Sequence, residues 1–417
     1  MLALFLSCHA VAQVSGPPSD PGAHDNLPVI EDLATLVDMA WARSPQARQL
    51  EGQGLEARTQ SEAARNWFPA APSVTLGQRT GDRSLREQEL ALSAPLWSVR
   101  QRQASQRAAE GSQASADAAT LALRLDLTRQ VRERIDALNL GALKVQLNQA
   151  HAEALERLEA EVLRRVAAGD LARVDALLVR QEVLAARGEV RQAQLERLEA
   201  EHAFHILAGE VRPAAGATGL RAPAPDDAGL IKLLSAPREA VAAHPRLLAA
   251  QAASEQQRRR VAWLASAARA PWELGVAHRR EQDGEPRRTT RSWGLSLTVP
   301  LADEPVQRQA LAVAQTAAEV AEAEVRRTHD VLESDLLEAV QAVRHQRALL
   351  AGAQAARQAA EERAELIRRA QTLGEVGLAE RLRAEQALQA AALRLTQQDM
   401  LLAQALARLQ FAQGAQP

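Results

Sequence analysis

His202 and His205, three residues apart on a helical stretch, are the nearest the sequence comes to a metal-binding pair, since imidazoles at that spacing share one helix face. No cysteine or acidic cluster accompanies them, so surface or packing roles are expected of both. The sequence holds no HExxH, no P-loop and no nucleophile elbow, and Gly52-x-Gly54 lies inside a helical pattern without phosphate-binding context. A catalytic site, a cofactor and a resident metal are therefore not expected. What does place charge at a fixed spacing is a turn that occurs twice. Gly169-Asp170-Leu171 has Asp175 six residues past its glycine, and Gly374-Glu375-Val376 has Glu380 six past its own. Carboxylates so placed fall in the first turn of the following helix, where the macrodipole favours them.

The two turns lie 205 residues apart, and other landmarks keep nearly that offset. Leu92-Ser93-Ala94-Pro95-Leu96 recurs as Leu297-Thr298-Val299-Pro300-Leu301, and Ser44-Pro45 as His244-Pro245. Self-similarity at half the chain length means one unit used twice.

Composition agrees with a helical unit. Of 417 residues 47% are hydrophobic but only 2% aromatic, the usage of long helices packed through small side chains. A formal net charge of −2, with arginines interleaved among glutamates, excludes an electrostatic case for nucleic acid. The single cysteine, Cys8, excludes an internal disulfide framework. It sits in an apolar run, residues 1–12, that ends in Ala10-Val11-Ala12 and reads as a secretory signal segment; lipid attachment at Cys8 is the alternative. No later run approaches the roughly 20 apolar residues of a spanning helix, so any membrane crossing must use strands.

In chain order the sequence predicts an extended leader (13–32), a first repeat (33–208), a linker rich in proline and glycine (209–229) and a second repeat (230–413). Each repeat reads as a short helix, a second helix, a β-hairpin, a long helix, the tip turn and a return helix. The short helices are expected over Leu33–Arg43 and Leu230–Ala243. The long ones, near Gln101–Ala168 and Val306–Leu373, would each measure roughly 100 Å at 1.5 Å per residue. Trp293, Leu295, Leu297 and Val299 alternate with Ser292, Gly294, Ser296 and Thr298, as in a two-faced strand. Trp67, Phe68, Trp97, Trp263, Trp272 and Trp293 flank or enter the hairpins, and only Trp41 of the six tryptophans lies elsewhere. Rings so placed suit a membrane interface; a small core between helices is the competing explanation.

Four strands cannot close a barrel, and open edges are not tolerated in hydrocarbon. Three copies would supply twelve strands. The expected fold is therefore mainly α with a small β part, in which duplicated long-helix hairpins form an α-helical barrel and four transmembrane strands per chain join a trimeric 12-stranded barrel.

The repeated order of elements, Leu-x-x-Pro-Leu at each hairpin's end and Gly-acid-apolar-x-x-x-acid at each tip resemble the TolC family of outer-membrane efflux factors, over about Leu33–Gln413. The context of Pro271-Trp272 and Val299-Pro300-Leu301 leans toward its heavy-metal branch. The resemblance implies a homotrimeric channel-tunnel in the outer membrane of a Gram-negative bacterium, contacting outer-membrane lipid and reaching far into the periplasm. It also implies docking to a periplasmic adaptor (membrane fusion protein) and an inner-membrane pump of the RND type, with no catalytic site. Carried over, Gly169, Asp170, Gly374 and Glu375 would be adaptor-docking tips. Asp175 and Glu380, with Arg381 or Arg383 as partners, would form the pore constriction. The total lack of tyrosine departs from the family and leaves a thin aromatic belt. A soluble coiled-coil scaffold or adaptor is the reading from another class; it accounts for the helices but not for hairpins at matching points of both repeats.

Overall fold

The computed structural model describes residues 27–80, 86–214, 225–283, 288–301 and 305–415. The signal segment, with Cys8, and the leader up to residue 26 lie outside these, as do the two hairpin loops and residues 215–224 of the linker. The leader supplies β1 (Val29–Ile30), and the first repeat comprises α1 (Leu33–Arg43), α2 (Pro45–Arg65), β2 (Ser73–Thr80), β3 (Arg86–Leu96), α3 (Val99–Ala167) and α4 (Arg173–Ala208). The linker supplies β4 (Arg212–Pro213), and the second repeat comprises α5 (Asp227–Ser235), which starts within the expected linker, α6 (Pro237–Ala240), α7 (Pro245–Ser266), β5 (Trp272–Asp283), β6 (Arg288–Thr298), α8 (Pro305–Thr372) and α9 (Leu378–Ala412).

Local chemistry sets the boundaries. Asp32 caps α1 by accepting from the N–H groups of Ala34 and Thr35. Ser44 ends α1 and starts α2, because Pro45 disfavours helical backbone at the residue before it yet suits the first position of a new helix. Ser98 and Gln101 form a reciprocal capping box that launches the 69 residues of α3. The expected single helix over Leu230–Ala243 is broken into α5 and α6. Pro237 lacks the N–H a continuous helix would need, and Ala236 before it takes φ −140°, ψ 61°. The linker is also less irregular than its composition suggests, since β4 pairs in parallel with β1.

At the position equivalent to Ser44, His244 caps α7 with an imidazole. Its Nδ1 accepts from the Arg246 N–H at 3.1 Å, and its Nε2 lies 3.0 Å from the Phe411 carbonyl at the end of α9. Only the neutral tautomer protonated on Nε2 satisfies both. Burial holds the ring's pKa below 6.5, against the opposing pull of the Phe411 carbonyl. A depressed folded pKa means this contribution to stability is whole above the unfolded value and is lost as pH falls through the folded one. Thermal unfolding measured from pH 7.5 to 5 is expected to show falling stability below about pH 6.5, and a shallower fall in His244→Asn. Parallel profiles for the two proteins would exclude the ring as the cause.

The helices form four columns. Both α2 and α4 pack on α3, both α7 and α9 lie against α3 and α8, and α2 and α4 touch no other long helix as extensively. The columns therefore run α2 stacked with α4, then α3, then α7 stacked with α9, then α8. Strands follow the same order, β2-β3-β5-β6, all antiparallel. Each strand continues the column of the helix that leads into it or out of it. Among the described residues the three larger apolar clusters hold the columns, and a small one of Leu125, Ala407 and Phe411 joins α3 to α9. Leu36, Val131, Ile135 and Phe204 bury α1 against α3 and α4; Leu230, Val241, Leu247, Leu336, Val340 and Leu409 do the same in the second repeat. Near the tips, Leu155, Val179 and Val183 enclose Leu378 and Leu382 of α9.

Candidate functional site: the paired tips and a two-faced sheet

Both tips are Schellman motifs. The Gly169 N–H reaches the Val166 carbonyl and the Asp170 N–H the Arg165 carbonyl; Gly374 and Glu375 repeat this with Gln371 and Ala370, at 3.0 Å each. Gly169 and Gly374 take φ of 85° and 79°, and nothing would obstruct a Cβ at either, so backbone conformation alone demands glycine. The return helices start at Ala172 and Gly377, which supply no side-chain cap, so Asp175 and Glu380 give each helix its first-turn negative charge.

The tips then diverge. Glu380 is held from two sides within one chain: Arg363 of α8 donates to one carboxylate oxygen at 2.9 Å and Arg383 to the other at 3.2 Å. Arg381 bonds Gln371 instead, and Arg368 pairs with Glu385 at 3.1 Å. Asp175 has no ion pair among the described residues. Arg363 was not legible as a partner, because it lies 17 residues before Glu380, across the turn. The second tip leans on the first hairpin, where Gln386 bonds Glu182 and the Gln389 amide donates to the Leu147 carbonyl.

At the far end, pairing register sorts the sheet's residues onto two faces. One carries Ser73, Thr75, Glu87, Glu89, Ala91, Ser93, Gly275, Ala277, Arg279, Gly294 and Ser296. Along β3 it is the more sheltered face: the Glu87 side chain is only 13% exposed, with Arg279 2.8 Å away and Arg79 at 3.7 Å. The other face carries successive apolar rows. Leu96 stands beside Trp272, Ala94 beside Leu274 and Leu297, Val74 and Leu92 beside Val276 and Leu295, and Leu76 and Leu90 beside His278 and Trp293. It is turned outward, with Leu76 80% and Leu295 77% exposed.

The aromatic residues occupy different levels of this sheet. Trp67 and Phe68 precede β2, Trp97 follows β3, Trp272 opens β5 and Trp263 lies in the last turns of α7, so all five mark the end next to the helices. Trp67 is exposed, with the Arg102 guanidinium 5.6 Å from its ring centre. Trp293 stands six residues up its strand from the level of Trp272, roughly 20 Å, and stacks on His278 at 4.6 Å.

His202 and His205 join no cluster of possible ligands; among the described residues one such group occurs, His329, Asp330 and Glu333, whose Glu333 is paired with Arg238 at 3.1 Å. A groove of about 610 Å³ between α3, α8, the start of α7 and the C-terminal end of α9 is lined by charges of both signs, Asp126, Arg129, Glu133, Arg246 and Asp335 among them. Asp126 and Glu133 there are occupied by Arg129. No described helix is long and apolar enough to cross a membrane.

No protein-family model and no curated protein matches the sequence itself. Solved structures match throughout. A membrane protein from Pseudomonas aeruginosa superposes with TM-score 0.68 at 19% identity, over 94% of this chain and 92% of its own. The CmeC outer-membrane channel of Campylobacter jejuni gives 0.69 at 14%, over 99% and 94%. The outer-membrane protein VceC of Vibrio cholerae gives 0.69 at 16%, over 92% and 96%. The fold of this chain is that of the TolC-type outer-membrane channels.

Proposed function

We propose that three copies of this chain close into an outer-membrane channel-tunnel, a passive, non-catalytic exit duct of an efflux system. The observation that carries this reading is the shared order of strands and columns, with both edges open. β2 and the α2/α4 column end one side; β6 and α8 end the other. Joining the two sides head to tail satisfies every strand edge after a closed rotation, and three subunits give a 12-stranded barrel. Its outward face would be the apolar rows and its lumen the polar face, the alternation such barrels require. The channels it resembles in fold are outer-membrane proteins, which supports the location. Extraction tests the reading: the protein should stay in outer membranes through a carbonate wash and migrate as a trimer in mild detergent. Release as a soluble monomer would end it.

Within that assembly the helical columns extend into the periplasm. Gly169, Asp170, Gly374 and Glu375 meet the helical hairpins of a periplasmic adaptor, which couples the duct to an inner-membrane pump of the RND type. Asp175 and Glu380 ring the entrance. The Arg363–Glu380–Arg383 clamp ties the α8 and α9 tips together, so it acts on the entrance by bracing each subunit. Exposed pairs of this kind contribute little singly, about 0.2–1 kcal/mol, but three occur at one constriction. Glu380→Ala is expected to raise closed-state conductance in planar-bilayer recordings about two- to fivefold, since the loss of roughly 0.2–0.3 kcal/mol in each of three subunits, about 0.6–0.9 kcal/mol together, shifts an open-closed equilibrium by that much. Unchanged conductance would remove the entrance role from Glu380.

A further inference from the structure

The outward sheet face carries no carboxylate in its described rows, yet it carries three arginines. Above the row of Leu76, Leu90, His278 and Trp293 comes Gln78, Gln88, Arg280 and Arg291, and above that Thr80, Arg86, Gln282 and Thr289. Glu87, Glu89, Glu273 and Glu281 all lie on the other face, where Arg79 and Arg279 pair with Glu87. Segregation this complete is not a solvated surface of mixed sign.

Arg280 and Arg291 stand directly opposite each other in the β5–β6 register. Like charges opposite one another destabilise a strand pair. Neither has an ion pair among the described residues, so the described rows leave both guanidinium groups open to an anion. The position says which anion fits. The row lies two residues, about 7 Å, beyond Trp293, the last ring of an apolar band roughly 20 Å long, at the end of the sheet away from the helices. A depression of about 400 Å³ joins the two zones, lined by Leu76 and Leu90, by Gln78, Gln88, His278 and Arg280, and by Gly77 and Glu89 of the other face's rows. Apolar side chains in one row and amide and guanidinium donors in the next match a molecule with acyl chains and a phosphorylated head. Guanidinium groups reach phosphate oxygens in paired hydrogen bonds, and their stems can lie along the band while the charge snorkels upward.

We infer that Arg86, Arg280 and Arg291 form a girdle that binds the phosphate groups of the anionic glycolipid in the outer leaflet. The inference rests on the channel reading above, which places the helix-distal end of the sheet outermost. Glycolipid binding then stabilises the closed barrel, because a lipid spanning this row neutralises a repulsion built into every subunit.

Purified protein in phosphatidylethanolamine vesicles, with and without diphosphoryl lipid A, tests this. The wild-type trimer is expected to melt about 5 °C higher with lipid A and to gain nothing from the dephosphorylated lipid. Arg280→Gln with Arg291→Gln should lose at least about half of the rise, and Arg280→Lys with Arg291→Lys should keep most of it. Arg79→Gln with Arg279→Gln, an equal charge change on the other face, should keep all of it. An equal rise with dephosphorylated lipid, or an undiminished rise in the double glutamine variant, overturns the girdle alone, as does a wild-type trimer that ignores lipid A. Failure of the wild-type chain to enter bilayers as a trimer overturns the channel reading and the girdle with it.

Discussion

Leu92→Arg is expected to abolish assembly in the membrane, whereas Ala91→Arg, one residue away, should leave trimers intact. Leu92 occupies the third apolar row, flanked by Val74 on one strand and Val276 on the other, and faces outward. An arginine at the middle of a barrel's lipid face costs roughly 2–4 kcal/mol, and a closed trimer meets that cost three times over. Ala91 lies on the sheltered face beside Thr75 and Ala277, where an arginine would project into water. The yield of trimers in outer-membrane fractions should fall more than about tenfold for the first variant and less than about twofold for the second. Equal yields would mean the two faces do not separate lipid from lumen.

The second large effect concerns the tip. Gly374→Pro with Glu375→Lys is expected to remove most export activity while trimers remain at normal levels. Gly374 has φ 79°, which proline cannot adopt, and its N–H bond to Gln371 would be lost. That closure is local, and the α9 anchor residues Leu378 and Leu382 stay buried in the first hairpin's core, so the columns should survive. A readout of substrate accumulation beside trimer quantity separates docking from folding. Normal export would refute the docking role of this turn.

Much of the architecture could be read from sequence because it depends on local chemistry that occurs twice. The Gly-acid turns, the Pro-Leu hairpin ends and the proline-started second helices each announce a boundary without tertiary information. The β6 alternation was clean because Trp293, Leu295 and Leu297 face outward against serines and glycine. In β2 the distal residues Gln78, Arg79 and Thr80 are polar on both faces, so the strand runs on to Thr80, past the Leu76 at which its apolar alternation ends. The break at Pro237 was masked by apolar periodicity that continues on either side of it. Placement of α7 and α9 between α3 and α8 was not legible, because it rests on contacts far apart in sequence. The same is true of Arg363, and of the outward arginines, whose common face appears only once register is known.

The sheltered face has a consequence for what the duct lets through. Glu87 sits between Arg279 and Arg79, Arg279 also reaches toward Glu89 at 3.6 Å, and Glu281 stands opposite Glu87 in the β3–β5 register, so two arginines meet three carboxylates across two adjacent rows of the wall. The excess is one negative charge per subunit, and its field fades over a Debye length of roughly 8–10 Å. In the proposed trimer three such excess charges would ring the upper passage and tilt it toward cations.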